Sequence, residues 1–219
     1  MSDSLLPGRF LFHFAVPCRY REKLWTPRGA GLDETFRLVA LGELEGEPAR
    51  ADVRAAWSEA GLAFSVRVEG KRQPLWCRTS RPEDSDGVQF WIDTRDVRNV
   101  HRAGRFCHSF LFLPSGGGSR QDAPLAQLVA INRAKEQPRP VATEKLPVRS
   151  QIRAGGYTLD AFLPAEVLTG FEPAEHPRLG FTYVIHDREL GQSTFGVGSP
   201  MPFEEDPSLW TTLELVGRA

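Results

Sequence analysis

The stretch DSDGVQFWIDTRD, from Asp84 to Asp96, decides the fold class of this chain. Its apolar side chains recur at every second position, a period that is typical of a β-strand and not of a helix. One face of the strand is apolar and the other is polar and aromatic: Val88, Phe90 and Ile92 against Gln89, Trp91 and Asp93. The apolar face predicts a strand that packs on a core. The second face is either a ligand platform or the covered back of a sheet.

Six more segments alternate in the same way, and turn sequences such as SEAG, PSGGGS and RAGG separate them. They cover residues 10–16, 62–68, 105–113, 156–163, 179–186 and 210–216. Many short alternating strands with few helices predict an all-β fold. We expect an antiparallel, jelly-roll-like β-sandwich.

Two segments depart from this period. LPAEVLTGF, residues 163–171, predicts a short helix that begins near Pro164 and ends at Gly170. APLAQLVAINRAKE, residues 123–136, fits either a helix or a strand. The chain shows no internal repeat and no long linker, so residues 1–219 are predicted to form a single domain with one or two short helices.

Composition excludes some classes of function. The 219 residues carry a formal net charge of -1, which provides no overall field for nucleic acid or an anionic membrane. No apolar run approaches the roughly 20 residues of a membrane span, and the apolar run 10–16 is interrupted by His13. The three cysteines are an odd number, which favours reduced thiols over a disulfide framework. We therefore expect a cytoplasmic protein that binds neither nucleic acid nor membranes.

Four segments, in their order along the chain, resemble the family 9 carbohydrate-binding modules. They are ADVRAAWSEAGLAFSVRVEG (51–70), DSDGVQFWIDTRD (84–96), GGYTLDAFLPAEVLTG (155–170) and RLGFTYVIHDRE (178–189). The resemblance covers about residues 51–216. It implies a jelly-roll-like β-sandwich and a saccharide ligand, with ligand contacts at the positions of Trp76, Gln89 and Arg105.

The residues themselves also suit a sugar site, because pyranose rings stack on tryptophan and their hydroxyls need polar partners. The predicted ligand-binding residues are Trp76, Gln89, Trp91, Arg95 and Arg105. Trp76 would stack on the sugar, Gln89 would bind hydroxyls, and Arg95 or Arg105 would meet an acidic substituent. The polar face of the strand is a platform if it is open. It is a covered layer if the basic insert KRQPLWCRTSRPE, residues 71–83, folds over it.

Two other classes of function remain as alternatives. His101, His108 and Asp93 could form a metal-dependent active site, although Cys107 and His108 are adjacent and so face opposite sides of a strand. The sequence contains no hydrolase motif and no phosphate-loop motif. Apart from the metal ion of this less favoured alternative, no cofactor is predicted. The hairpin 93–108 is rich in arginine and histidine, and would suit an intracellular protein-interaction or scaffold domain. The favoured prediction is non-catalytic binding of a carbohydrate or a related small polar ligand.

Overall fold

The protein is built from short strands and tight connections. The computed structural model describes residues 14–39, 51–81 and 84–217, and these ranges contain eleven strands. The strands are β1 Ala15–Tyr20, β2 Ala51–Ser58, β3 Gly61–Glu69, β4 Gly87–Asp93, β5 Cys107–Gly117, β6 Ala123–Leu128, β7 Val148–Arg153, β8 Gly156–Pro164, β9 Arg178–Asp187, β10 Gly191–Thr194 and β11 Thr211–Val216. Three-residue 3-10 turns lie at Glu34–Phe36, Thr143–Lys145, Ala165–Val167 and Pro207–Leu209. Across the described ranges, no helix has the length and apolar character needed to cross a membrane.

The strands hydrogen-bond in the order β6-β5-β4-β9-β11-β1-β2-β3-β8-β7, with β10 beside β9. Neighbouring strands are antiparallel except where β1 is involved. β1 runs parallel to β11, with Ala15 opposite Thr212, and parallel to β2, with Arg19 opposite Ala56. β1 therefore joins two layers, which we call the β4 layer (β4, β5, β6, β9, β10 and β11) and the β3 layer (β2, β3, β7 and β8).

Aromatic side chains from both layers form the core between them. Phe90 of β4 stacks on Phe64 of β3 with ring centroids 4.3 Å apart, and Phe181 of β9 lies 5.7 Å from Phe64. All three rings are fully buried, together with Val88 and Ile92. Such aromatic pairs contribute about 0.5–1.5 kcal/mol each beyond the burial of their area. The apolar face of the opening stretch is therefore the inner face of a sandwich.

The predicted all-β sandwich is confirmed, and the two ambiguous segments are resolved. Residues 123–128 form β6, which pairs with β5 and places Leu128 opposite Phe110. The helix predicted over 163–171 is only the 3-10 turn Ala165–Val167, because β8 continues through Pro164. In the first predicted strand, residues 10–13 lie outside the described residues, and β1 begins at Ala15.

Candidate functional site

The outer face of β4 is covered around Trp91, whereas Gln89 on the same face is half-buried. Trp91 is 1% exposed and packs against Phe203, with ring centroids 5.8 Å apart. Ala103, Ile131 and Trp210 belong to the same apolar cluster. Segments far from β4 in the sequence thus cover Trp91, and none of the described residues of the basic insert belongs to this cluster.

The other end of this face carries a row of polar side chains, which we call the amide shelf. Gln89 stands opposite Leu111 in β5 and Val184 in β9, and its Nε2 donates to Ser109 Oγ at 2.7 Å. The strand registers place four polar residues on the shelf, all half-buried or exposed: Gln89, Gln127, His186 and Gln192. Burial lowers the pKa of His186, although the nearby Asp84 acts to raise it, and the lowered pKa favours the neutral imidazole. The shelf therefore offers neutral donors and acceptors.

A buried ion cluster stands at the start of β4. Lys71 Nζ lies 2.7 Å from Asp187 Oδ2 and 3.0 Å from Asp86 Oδ2, and all three side chains are almost completely buried. Burial acts against the ammonium charge, but hydrogen bonds to Asp187 and Asp86 hold the pKa of Lys71 above its ordinary value. The beginning of the basic insert is thereby fixed to the ends of β4 and β9.

Asp86 also positions the backbone on both sides of the cluster. Its Oδ2 accepts a hydrogen bond from the backbone N–H of Trp76 at 3.0 Å, and its Oδ1 accepts one from that of Arg188 at 2.8 Å. The Asp86 N–H donates in turn to the carbonyl of Trp76 at 2.8 Å. A single buried carboxylate thus brings Trp76 and Arg188 together from segments more than 100 residues apart in the chain.

Two arginines contact the half-buried indole of Trp76. The guanidinium carbon of Arg78 lies 3.9 Å from the ring centroid, and that of Arg188 lies 4.2 Å from it. Both distances are within the range of cation–π attraction, and both arginines are exposed. We call these three residues the Trp76 site. Asp86 precedes Gly87, whose partner in β9 is His186, so the Trp76 site adjoins the amide shelf.

A cleft of about 220 Å³ lies along the part of the basic insert that precedes Trp76 in the sequence. It is lined by Lys71–Leu75 and Ile152–Gly156, and its charged lining residues, Lys71, Arg72 and Arg153, are all basic. A second cleft of about 290 Å³ shares the turn Arg153–Gly156 and is also lined by Arg67–Gly70. There Arg67 is paired with Glu69.

Arg95 and Arg105 lie at the opposite end of β4 from Trp76, and the seven residues of the strand span roughly 23 Å. Their guanidinium carbons lie 4.6 and 4.9 Å from the ring centroid of Phe106. Arg95 donates to the carbonyl of Gly170 and lies 3.1 Å from Glu172 Oε2. Of the five predicted ligand residues, the fold places Trp76 and Gln89 at one end, Arg95 and Arg105 at the other, and Trp91 under an apolar cover.

The three residues of the metal alternative point in different directions. His108 lies opposite Ile92 and faces the core, where its Nε2 accepts a hydrogen bond from the Thr169 N–H at 2.9 Å. Asp93 is on the outer face, where its carboxylate accepts from the N–H groups of Arg95 and Val97. His101 is exposed and contacts Asp206. The three side chains therefore do not converge.

His101, Ser208 and Asp206 have the composition of a hydrolytic triad but not its geometry. Asp206 Oδ2 lies 3.0 Å from His101 Nδ1, and Ser208 Oγ lies 3.1 Å from the same nitrogen. In a triad, the serine and the carboxylate contact different ring nitrogens, so that the imidazole can accept a proton from serine. Here both contacts are to Nδ1, and the arrangement does not activate Ser208.

Sequence reasoning missed Lys71, Arg78, Asp86, Asp187 and Arg188 as parts of the site. Two signals were present: the insert is rich in basic residues, and the segment RLGFTYVIHDRE ends in the acidic and basic residues that meet it. The pairing of Lys71 with Asp187 joins residues 116 positions apart. A contact of that range depends on the register of the whole sheet and not on local pattern.

Comparison with known proteins identifies the fold. No family model matches the sequence, and no curated protein matches it. A family 9 carbohydrate-binding module from Caldicellulosiruptor kristjanssonii, solved with cellotriose, aligns with a TM-score of 0.58 at 13% identity over 94% of this chain and 95% of that one. The glucose complex of a module from the same organism and family also gives 0.58 at 13% identity, over 94% and 97%.

A protein of Bacteroides uniformis described as carbohydrate-binding aligns with a TM-score of 0.54 at 13% identity, over 94% of this chain and all of that one. The fold of this chain is therefore like that of family 9 carbohydrate-binding modules, and the resemblance found in the sequence is confirmed at that level. At 13% identity, the likeness concerns the fold alone.

Proposed function

We propose that this protein is a non-catalytic carbohydrate-binding domain, and that its ligand lies across the Trp76 site and the amide shelf. The observation that carries the proposal is the placement of Trp76. A buried carboxylate holds the backbone of Trp76, and its half-buried indole lies at the edge of a row of half-buried and exposed polar side chains. A rigid aromatic ring beside neutral hydrogen-bonding groups is the arrangement that a sugar ring requires.

The amide shelf supplies the polar part of this recognition. Gln89 and Gln192 each carry a carbonyl acceptor and two N–H donors, and neutral His186 adds one donor and one acceptor. Sugar hydroxyls both donate and accept, so amide groups satisfy them better than ions of one sign. The four shelf residues come from four strands of the β4 layer, and the sheet register fixes their spacing.

The chemistry around Trp76 supports binding without catalysis. Cys77 is the nucleophile nearest in sequence to Trp76, and burial raises the pKa of its thiol to about 11. The carboxylates of Asp86 and Asp187 are paired with Lys71 and accept backbone hydrogen bonds. The solved modules of like fold add support, since one is in complex with cellotriose and another with glucose.

Tryptophan fluorescence titration with cellotriose, glucose and galacturonic acid tests the proposal. Trp76→Ala should abolish the saturable response. Trp25→Ala is the matched control, because Trp25 is also half-buried but stacks on Phe162 on the outside of the β3 layer. A ligand at 100 times its Kd should also add about 2.7 kcal/mol of stability in a thermal-shift assay.

The outcomes separate the alternatives. A response that is lost in Trp76→Ala and kept in Trp25→Ala supports the site. A response that is kept in both variants places the ligand elsewhere on the molecule. If no saccharide changes the fluorescence or the melting temperature, the carbohydrate proposal is abandoned in favour of an interaction domain.

A further inference from the structure

We propose that the Trp76 site is selective for acidic saccharides, in which carboxylate groups of the sugar bind Arg78 and Arg188. This inference rests on the proposed function and narrows its ligand class. It starts from the geometry of the aromatic ring. A sugar that stacks on Trp76 competes with two guanidinium groups, each within 4.2 Å of the ring centroid. A carboxylate, in contrast, binds the guanidinium N–H groups directly.

Within the described part of the chain, no acidic side chain is paired with Arg78 or Arg188. Among the described residues, no carboxylate lies within 4.0 Å of either guanidinium group. The contrast is Arg95 at the other end of β4, which also contacts an aromatic ring but lies 3.1 Å from Glu172. An arginine that is already paired gains little from an anionic ligand, whereas an unpaired one gains a charge-assisted, bidentate contact.

The cleft lined by Lys71–Leu75 and Ile152–Gly156 adds further cationic side chains on the insert that carries Trp76. Arg72 is exposed, and Glu189 directs its oxygens to the backbone N–H groups of Arg72 and Gln73. The guanidinium of Arg153 donates to Thr158 Oγ1 and Gln151 Oε1, which are both neutral. Cationic side chains thus continue along the cleft. A saccharide with one acidic group per sugar unit could pair with several of these cationic side chains, whereas a singly charged ligand could pair with only one.

The experiment compares trigalacturonate with its fully methyl-esterified form by isothermal titration calorimetry. The ester keeps the sugar rings and removes the charge. Trigalacturonate should bind about tenfold or more tightly than the ester, and the difference should shrink at high ionic strength. Cellotriose serves as an unrelated neutral saccharide, and poly-glutamate as an anion without sugar rings.

Arg188→Gln should weaken trigalacturonate binding by about tenfold, whereas the binding of the ester should stay unchanged or become tighter. The variant keeps the backbone N–H that bonds to Asp86, and a thermal melt checks its folding. Arg105→Gln is the matched control, because Arg105 is also exposed and in contact with an aromatic ring, but at the opposite end of β4. It should bind trigalacturonate as the wild type does.

The possible outcomes distinguish this proposal from the proposed function. If the ester and cellotriose bind as tightly as trigalacturonate and Arg188→Gln has no effect, acidic selectivity is overturned while the proposed function stands. If none of the saccharides binds, both proposals fail. If poly-glutamate binds as tightly and with the same dependence on Arg188, the surface responds to charge alone and the saccharide class is wrong. Loss of binding in Arg105→Gln but not in Arg188→Gln would move the site to the other end of β4.

Discussion

The buried side chain of Asp86 positions two residues of the Trp76 site, although it is not itself exposed on that surface. It is fully buried, yet its two oxygens fix the backbone of Trp76 and Arg188, and the oxygen that binds Trp76 also contacts Lys71. A carboxylate that accepts several N–H groups rigidifies all of their donors. The position of the indole relative to the amide shelf therefore depends on a residue that contacts no solvent.

His108 gives a prediction about pH at the same scale. Burial lowers the pKa of its imidazole from 6.5 to about 4, and Nδ1 has no hydrogen-bond partner among the described residues. Between these values the unfolded chain binds a proton at His108 and the folded chain does not. The free energy of unfolding therefore falls as the pH decreases from 6.5 to 4, by up to about 3 kcal/mol from this residue.

Urea unfolding of the wild type and His108→Gln across this pH range measures the effect. Glutamine keeps an acceptor for the Thr169 N–H but does not titrate. The difference in stability between the two proteins should change with pH between 6.5 and 4 and be constant above about 7. A constant difference over the whole range would show that His108 titrates normally in the folded protein.

At the scale of elements, the basic insert is attached to the sandwich through a buried ion cluster at its first residue. Lys71 is bound to carboxylates at the ends of β4 and β9, whereas the residues around Trp76 are partly exposed. Removal of one partner from a buried ion cluster leaves the others charged and uncompensated, which costs about 3–5 kcal/mol. A substitution in this cluster should therefore destabilise both the insert and the sheet.

Lys71→Met tests this attachment. We expect it to lower the free energy of unfolding by about 3–5 kcal/mol and to weaken saccharide binding, because Trp76 loses its fixed position. Lys145→Met is the control, since Lys145 is exposed and its pair with Glu166 at 3.0 Å contributes little. Chemical denaturation of both variants measures the difference. Equal stabilities would mean that the cluster does not hold the insert.

β4 also shows what local pattern can and cannot predict. Alternation identified its inner face, because a period of two is a property of the strand itself. It could not predict that Trp91 is fully buried while Gln89 is only half-buried, because the cover of Trp91 comes from residues such as Phe203 and Trp210. The segment 123–136 was undecided for a related reason: its backbone partners belong to β5, and the sequence does not show them.

For the whole molecule, the resemblance in the sequence was enough to predict the sandwich, while the grouping of site residues required the fold. Trp76 and Arg105 were both expected to contact the ligand. The fold places them at opposite ends of β4, which the sequence alone does not show. Asp187 and Arg188 are adjacent in the sequence but have different roles, since one is buried under Lys71 and the other lies over Trp76. The pairing register of strands that are distant in the sequence determines which of two adjacent residues is buried and which lies at the site.

The three free cysteines give a prediction for the sandwich as a unit. Cys18 in β1 and Cys107 in β5 are buried, and burial raises the pKa of each thiol to about 12, whereas Cys77 is only half-buried. In native buffer, a maleimide should modify Cys77 first. Cys18 and Cys107 should react only as fast as the protein unfolds globally. Peptide mass spectrometry gives the order, and modification of Cys18 at the rate of Cys77 would show that β1 detaches alone.

The parallel pairing of β1 with β11 has a consequence for the nascent chain. Among the described strands, β1 is translated first and β11 last, so the link between the two layers forms only when β11 has left the ribosome. The hairpins β2-β3 and β4-β5 have local partners and can pair earlier. Until β11 arrives, β9 has an unpaired edge, and such edges favour wrong strand pairing and aggregation. We therefore expect the nascent chain to expose this edge in the interval of translation between β9 and β11.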